Sequence, residues 1–394
     1  MNPLLDRLQS TLADLHKAGT YKQLQYLTTP MSPVVTIDGL GEVLVFCANN
    51  YLGLANDPEV VEAGIEGLRR YGAGTASVRF ICGTFDCHRE LEERIAKFLG
   101  AEAALTYVSC WNANEGLLTN LVREGDVIIS DELNHASIID ASRLARQATR
   151  VVFPHADMNA LDDTLKKHRD AAVKIVVTDG VFSMEGDVAP LSEMVAVCRR
   201  HNATLVVDDS HGTGVLGVGG RGTHEHFGLP GHAPEGVDIF TGTLGKALGG
   251  AAGGYVAGPK AVIETLVQRS RPQLFSNALP PTVAVSAAKA LEILEREPQR
   301  VARLQANVAR MRAGLRKLEY DVVDSPTAII PVLIGDTAEA IRMSQRLLER
   351  GVFVIGFGYP VVPEGKARLR IQMSAAHTDE QIDKALAAFD SLRS

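Results

Sequence analysis

Leucines stand at positions 4, 5, 8, 12 and 15, and Gly19 follows them. This spacing predicts an opening helix with one apolar stripe, docked on the body of the protein or on a partner subunit. Short apolar runs at 34–37 and 43–46 read as strands. Asp57-Pro58 is a cap followed by a first-turn proline, so a helix is expected from there to Tyr71-Gly72. Between about 100 and 260 the texture changes. Short apolar runs alternate with helical stretches: ALTYV (104–108), DVIIS (126–130), RVVF (150–153), KIVVT (174–178), TLVVD (204–208), VDIFT (237–241) and GGYVAG (253–258). Buried strands separated by helices imply an α/β layer with a mainly parallel sheet. Ligands of such sheets sit at the carboxyl ends of the strands, so chemistry is expected just after these runs. Beyond about 280 a long helical segment leads into a smaller α+β unit, with strands near 328–333, 352–355 and 367–373. Thr378 and Gln381 make a capping box for its last helix. The expected organisation is an N-terminal helix and strands over 1–48, a large domain over 49–285 and a small C-terminal domain over 286–394.

Composition narrows the function. The 394 residues are 46% hydrophobic and 22% charged, with net charge −7, an ordinary globular balance in a chain long enough for two lobes. No basic block or RNP-type run is present, so nucleic acid is not an expected partner. No apolar run reaches the roughly 18 residues of a membrane span. The charged start MNPLLDRLQSTLADLHKAG does not read as a signal peptide, so the expected location is the cytoplasm, away from membranes. Cysteines stand at 47, 82, 87, 110 and 198, an odd number that reads as free thiols in a reducing compartment. Cys82, Cys87 and His88 lie close in sequence, but no second cysteine pair completes a metal site. Buried thiols and no metal are expected there. His224 and His226 form a loose HxH that reads as structural.

The candidate chemistry lies at strand ends. Asp208, Asp209 and His211 close TLVVDDSH, Ser183 closes KIVVTDGVFS, and Thr243 and Lys246 follow VDIFT in TGTLGKALGG. Small neighbours around Lys246 leave room for a flat ligand. A partly desolvated lysine loses its proton more readily and serves as a Schiff-base nucleophile. Asp208 upstream of such a lysine suggests pyridoxal phosphate (PLP), whose ring nitrogen must stay protonated to act as an electron sink. His211 suits the phenolic oxygen of the ring. The phosphate needs amides at a helix start and hydroxyls, which Ser109-Cys110-Trp111 and Thr243 offer. The rival readings are a solvated lysine in a Gly-rich turn and an aspartate that merely caps a helix. A competing cofactor signal, GTGVLG at 212–217, matches GxGxxG after a strand. A dinucleotide site must open a helix directly, and the continuation Val218-Gly219-Gly220-Arg221-Gly222 is a poor helix start. A loop is expected, and an NAD-dependent oxidoreductase is the out-of-class alternative.

Longer motifs then come into play: FCANNYLGLAN (46–56), ASVRFICGT (76–84), SDELNHASIID (130–140), TDGVFSMEGD (178–187), VDDSHGTG (207–214), TGTLGKALGG (241–250), SRPQLFSNAL (270–279) and GYPVVPEGKARLRIQMSAAH (358–377). Together they resemble the α-oxoamine synthases, PLP enzymes of fold type I, over nearly the whole chain. ASVRFICGT and RPQLFSN resemble the acetyltransferase branch rather than the biotin, haem or sphingolipid branches. The resemblance implies a large domain with a mainly parallel sheet between helices and a smaller α+β C-terminal domain. It implies a reversible condensation of glycine with acetyl-CoA to 2-amino-3-oxobutanoate and CoA, of use in threonine breakdown. The alternative within the family is 8-amino-7-oxononanoate synthesis from alanine and pimeloyl-CoA, or a promiscuous enzyme.

The same resemblance implies residue roles. Lys246 would bind the cofactor aldehyde and later move the Cα proton. Asp208 would hold the ring nitrogen, and His211 with Ser183 the phenolic oxygen. His135 would stack on the ring face. Cys110 and Trp111 would give backbone amides to the phosphate, with Thr243. Ser276 and Asn277 would reach the phosphate from the partner of a homodimer with shared sites. Asn49 and Arg370 would bind the substrate carboxylate, which a guanidinium fork suits. Bland alternatives accompany these: Asn49 as a turn residue, His135 and Ser276 as caps, and either Arg368 or Arg370, on one face of a strand, as a structural ion pair. Two positions, and in detail the stretch 212–217, depart from the family pattern. Trp111 replaces the usual Phe or Tyr, and Gly358 stands where an aromatic borders the acyl side of the pocket.

Overall fold

The computed structural model describes residues 2–232, 234–359 and 361–393. Its strands are β1 (Val34–Ile37), β2 (Gly41–Val45), β3 (Ala103–Tyr107), β4 (Val127–Asp131), β5 (Thr149–Phe153), β6 (Lys174–Asp179), β7 (Thr204–Asp208), β8 (Ile239–Thr243), β9 (Gly254–Gly258), β10 (Ile329–Gly335), β11 (Val352–Phe353), β12 (Ile355–Phe357) and β13 (Ala367–Gln372). Each apolar run between 100 and 260 forms a strand, displaced by no more than two residues. The largest displacement is at β8, which ends at Thr243, so that residue closes the strand instead of following it. The chain divides into two compact units, Asn49–Gln305 with Ser325–Ala328, and Met1–Ala48 with Ala306–Asp324 and Ile329–Ser394.

The larger unit is built on one sheet in the order β3-β9-β8-β7-β6-β4-β5. Strands β5, β4, β6, β7 and β8 run parallel, and β9 is antiparallel to both of its neighbours. Every residue of β4 and β6 is buried, as a sheet covered on both faces requires. The parallel strands all end on one side, bringing Asp131, Asp179, Asp208 and Thr243 to the same edge of the sheet. The helix Cys110–Leu121 starts at that edge and buries Ala113, Leu117 and Leu118 against the sheet core. The helix Pro281–Arg296 stays in this unit beyond residue 285 because it packs on Pro58–Tyr71. A Cβ at Gly67 would overlap Val285, so glycine sets that close approach. The unit ends only after Gln305, within the helix Gln299–Lys317.

In the smaller unit β2 pairs with β1 and, in parallel, with β11, while β13 lies between β10 and β12 in an antiparallel sheet. Residues 1–48 join it through specific ties. Phe46 stacks on His377 with ring centroids 4.3 Å apart, its carbonyl accepts from the Gln372 amide at 2.8 Å, and His377 Nε2 lies 2.9 Å from the Val45 oxygen. The capping box of Thr378 and Gln381 opens the helix Asp379–Asp390. The opening helix, Pro3–Lys17, does form, but its leucines at 4, 5, 8, 12 and 15 are all exposed. It is not docked on the body. Cys82 is exposed, against the expectation of a buried thiol, whereas Cys87 and Cys198 are buried. His88 is structural, since its Nδ1 accepts from the Phe85 amide at 3.0 Å and its Nε2 lies 2.7 Å from the Leu279 oxygen.

Candidate active site

Lys246 lies three residues past the end of β8, partly buried. Its Nζ is 2.9 Å from His211 Nε2, and His211 Nδ1 is 2.8 Å from the buried Tyr51 hydroxyl. Tyr51 therefore fixes the ring that faces the lysine. Asp208 ends β7 and is 3% exposed. Its Oδ2 accepts from Asn114 Nδ2 at 2.6 Å and from the Cys110 thiol at 3.4 Å, and its Oδ1 from the Ser210 amide at 3.0 Å. Burial pushes its pKa up. The Ser210 and Asn114 hydrogen bonds, with the charges of Lys246 and His135, outweigh burial and hold it below the usual carboxylate range. Asp179, its register partner on β6, goes the other way: burial and the neighbouring Asp208 charge push it well up. Two adjacent buried carboxylates are thus split, and Asp208 carries the negative charge. The Cys110 thiol stays neutral, since burial and the Asp208 charge both raise it.

The helix Cys110–Leu121 presents its start to the same edge. Ser109 takes the Asn112 amide on its side chain at 3.2 Å and the Ala113 amide on its carbonyl at 3.1 Å. The amides of Cys110 and Trp111 have no acceptor within the helix, as first-turn amides never do, and suit an anion. A Cβ on Gly254 would overlap the Cys110 backbone, so β9 can run this close only with glycine there. The Thr243 hydroxyl accepts from the Gly245 amide at 3.1 Å and donates to the Gly253 carbonyl at 3.2 Å, shaping the turn before Lys246. His135 is the N-cap of Ala136–Leu144, with Nδ1 accepting from the Ser137 amide at 3.2 Å. Burial, offset in part by Asp208, lowers its pKa. Trp111 meets it edge-on at 6.1 Å.

The other expected residues are distributed as follows. Ser183 sits partly buried in the turn after β6. Ser276 caps the short helix Arg271–Phe275, and Asn277 bridges Val78. Asn49 begins a turn in which the Tyr51 amide donates to its carbonyl at 2.9 Å. Arg368 and Arg370 share a face of β13 in the smaller unit. Arg368 is buried, while Arg370 lies over the Phe357 ring at 5.0 Å and donates to Gln372 Oε1 at 3.1 Å. Gly358 is a packing glycine, because a Cβ there would overlap the Thr337 side chain. The GTGVLG stretch is a loop, its Gly214 amide bonded to the Gly220 carbonyl at 2.7 Å and its return pinned by Thr223 hydrogen bonds to Asp209. Only the four-residue helix Thr223–His226 follows, so the dinucleotide geometry is missing.

Asn114 and Tyr51 were not among the expected residues. Asn114 had a signal, since it lies four residues after Cys110 on one helix face. It also accepts from Thr241 Oγ1 at 2.8 Å and donates to Ser137 Oγ at 3.0 Å, tying Asp208 to two neighbouring elements. Asn114→Ala should lower the unfolding free energy by about 1.5–3 kcal/mol, the worth of a hydrogen bond to a charged group. A urea midpoint equal to wild type would contradict that role.

Known proteins agree with this geometry. The aminotransferase class I and II family model matches residues 41–389. The chain is 46% identical over 385 residues to 2-amino-3-ketobutyrate coenzyme A ligase of Escherichia coli strain K12, covering 97% of this chain and 96% of that protein. It is 47% identical over 387 residues to 8-amino-7-oxononanoate synthase of Symbiobacterium thermophilum, covering 98% and 97%. A solved structure of SPT, a serine palmitoyltransferase, with PLP as internal aldimine superposes with TM-score 0.92 at 33% identity, over 98% of this chain and 96% of that one. With a lysine, a buried ionised aspartate and a helix start gathered at one sheet edge, the chain belongs to the aminotransferase class I and II family, within its α-oxoamine synthase group.

Proposed function

We propose that this protein uses PLP to join glycine to the acetyl group of acetyl-CoA, forming 2-amino-3-oxobutanoate and free CoA, and that it runs the reverse cleavage as well. The observation that carries the reading is Lys246 Nζ against His211, on the same edge as a buried aspartate held ionised. These residues fit the cofactor. A buried carboxylate below its usual range can keep a pyridine nitrogen protonated, and the amides of Cys110 and Trp111 can take a phosphate. When bound, PLP supplies an aldehyde for the substrate amine and a protonated ring that accepts the electron pair left at Cα. Lys246 would hold the aldehyde at rest and take the Cα proton during turnover. His211 and Ser183 would hydrogen-bond the phenolic oxygen, His135 would cover one ring face, and Thr243 would border the phosphate through the turn it shapes. Asn49 and Arg370 would hold the substrate carboxylate.

The exposed Phe80, Ile81 and Phe275 support a homodimer. They flank the bridge between Val78 and Asn277, and covering them would let a second copy bring its own Ser276 and Asn277 to the phosphate. The free cysteines fit the expected cytoplasmic setting. No helix among the described residues is long and apolar enough to cross a membrane. The 47% identity to an 8-amino-7-oxononanoate synthase favours a second reading, alanine with pimeloyl-CoA. A panel pairing glycine, alanine and serine with acetyl-, pimeloyl- and palmitoyl-CoA, read by release of the CoA thiol, separates them. Glycine with acetyl-CoA should give the highest kcat/KM. A maximum at alanine with pimeloyl-CoA would replace the first reading with the second.

A further inference from the structure

His155 was not singled out by its sequence context, yet it stands between two loops of the site. The loop after β4 runs from Asp131 to His135, and the turn after β6 carries Ser183 and ends at Asp187. His155 Nδ1 lies 3.0 Å from Asp131 Oδ1 and Nε2 lies 2.7 Å from Asp187 Oδ2. Its ring meets the buried Phe182 edge-on at 4.4 Å. Only an imidazolium can donate from both nitrogens to two carboxylates. Burial works against the charge, but the hydrogen bonds and charges of Asp131 and Asp187 prevail and push the His155 pKa up to about 10.

Each carboxylate extends the connection into its own loop. Asp131 Oδ1 accepts from the Leu133 amide at 2.9 Å, and Oδ2 from the Ala156 amide at 2.9 Å. Ala156 has φ +53, a left-handed conformation that alanine rarely adopts and that this bond helps hold. Asn134 then accepts from the Asp179 amide at 2.7 Å, and the His135 amide donates to Asp179 Oδ2 at 2.7 Å. On the other side the Phe182 amide donates to the Asp187 carbonyl at 3.1 Å, closing the turn around Ser183. Asp187 Oδ1 is buried without a hydrogen-bond partner among the described residues, while its Oδ2 is the atom that meets His155.

We infer that His155 is a positioning residue, a cationic clasp that joins the loop carrying His135 to the turn carrying Ser183 through Asp131 and Asp187. The inference rests on the proposed function, because PLP is the ligand to which those two side chains would be presented. His155→Gln, Asp187→Asn and the double variant test it. Each single change should raise the PLP dissociation constant of cofactor-stripped protein about tenfold, and the double variant should be no worse than about twofold beyond either, since all three open one clasp. The visible band of bound PLP should shift, and kcat should fall while KM for the acyl-CoA holds. Folded variants with wild-type PLP affinity, band and kcat would overturn the clasp, as would fully additive effects. If His155→Gln fails to fold, Asp187→Asn alone carries the prediction, its side chain being 37% exposed. One readout needs no cofactor: in stripped protein at about pH 8, the ring-nitrogen NMR shifts of His155 should be those of imidazolium, far above the ordinary titration near 6.5. Neutral shifts there would overturn the clasp, whereas wild-type protein that takes up no PLP would instead overturn the proposed function.

Discussion

Replacing Lys246 with alanine should cut turnover by at least ~10²–10⁴-fold, the range for losing a positioned general base and nucleophile. Nζ is the amine at the strand edge that faces His211 at 2.9 Å, and Tyr51 holds that imidazole from its far side. The proton removed from the substrate needs an acceptor close to Cα, and Lys246 is the group assigned to it. PLP should still bind, through the helix start and Asp208, but without a covalent link. Lys246→Arg separates charge from nucleophilicity. A guanidinium keeps the positive charge beside Asp208 and does not give up its proton at working pH, so this variant should be as inactive as alanine. Steady-state kinetics on both variants, with absorbance spectra, check this. Undiminished glycine turnover in either would refute the assignment.

Asp208→Asn should lower kcat by roughly 10²–10³-fold, the usual cost of removing one preorganised electrostatic partner of the transition state. Asparagine keeps the shape and can still accept from Asn114, but its amide nitrogen then faces the Ser210 amide, so the loss reports the charge together with that one hydrogen bond. PLP should remain attached to Lys246, which distinguishes this variant from the first. The pH dependence carries a second signature. The Asp208 pKa is lowered in the folded protein, so its charge contributes stability above the ordinary carboxylate range and loses it as pH falls through the lowered value. Acid unfolding of Asp208→Asn should lack that contribution. Asp179 should also ionise more readily once its charged neighbour is gone, because the Asp208 charge is one of three causes of its raised pKa, beside burial and the Asp131 charge. An unchanged kcat would mean that the buried carboxylate serves only the fold.

The strands were legible because a sheet buried on both faces demands continuous apolar runs, and β4, β6 and β7 each carry one: VII, IVV and LVV. Strand ends followed less closely. The last residues of β8 are small and polar, TGT, and apolarity alone could not signal that pairing continues to Thr243 opposite Gly254. The antiparallel insertion of β9 between β3 and β8 is a pairing choice set by tertiary contacts, with no local trace. Lys246, Asp208 and His211 were readable from residue type at strand ends. Tyr51 was not, because it meets His211 across 160 residues. His155 was hidden for the same reason: its two carboxylates lie 24 and 32 residues away and meet only when β4 and β6 are side by side. The opening helix was readable as amphipathic, but its stripe of exposed leucines is covered by nothing among the described residues.

Borohydride reduction of the PLP-loaded protein, followed by mass mapping of its peptides, tests the central claim most directly. A pyridoxyl group fixed to the peptide containing Lys246, with the visible absorbance lost in proportion, is the predicted result. Reduction that leaves every lysine unmodified, or that marks a lysine other than 246, would contradict it.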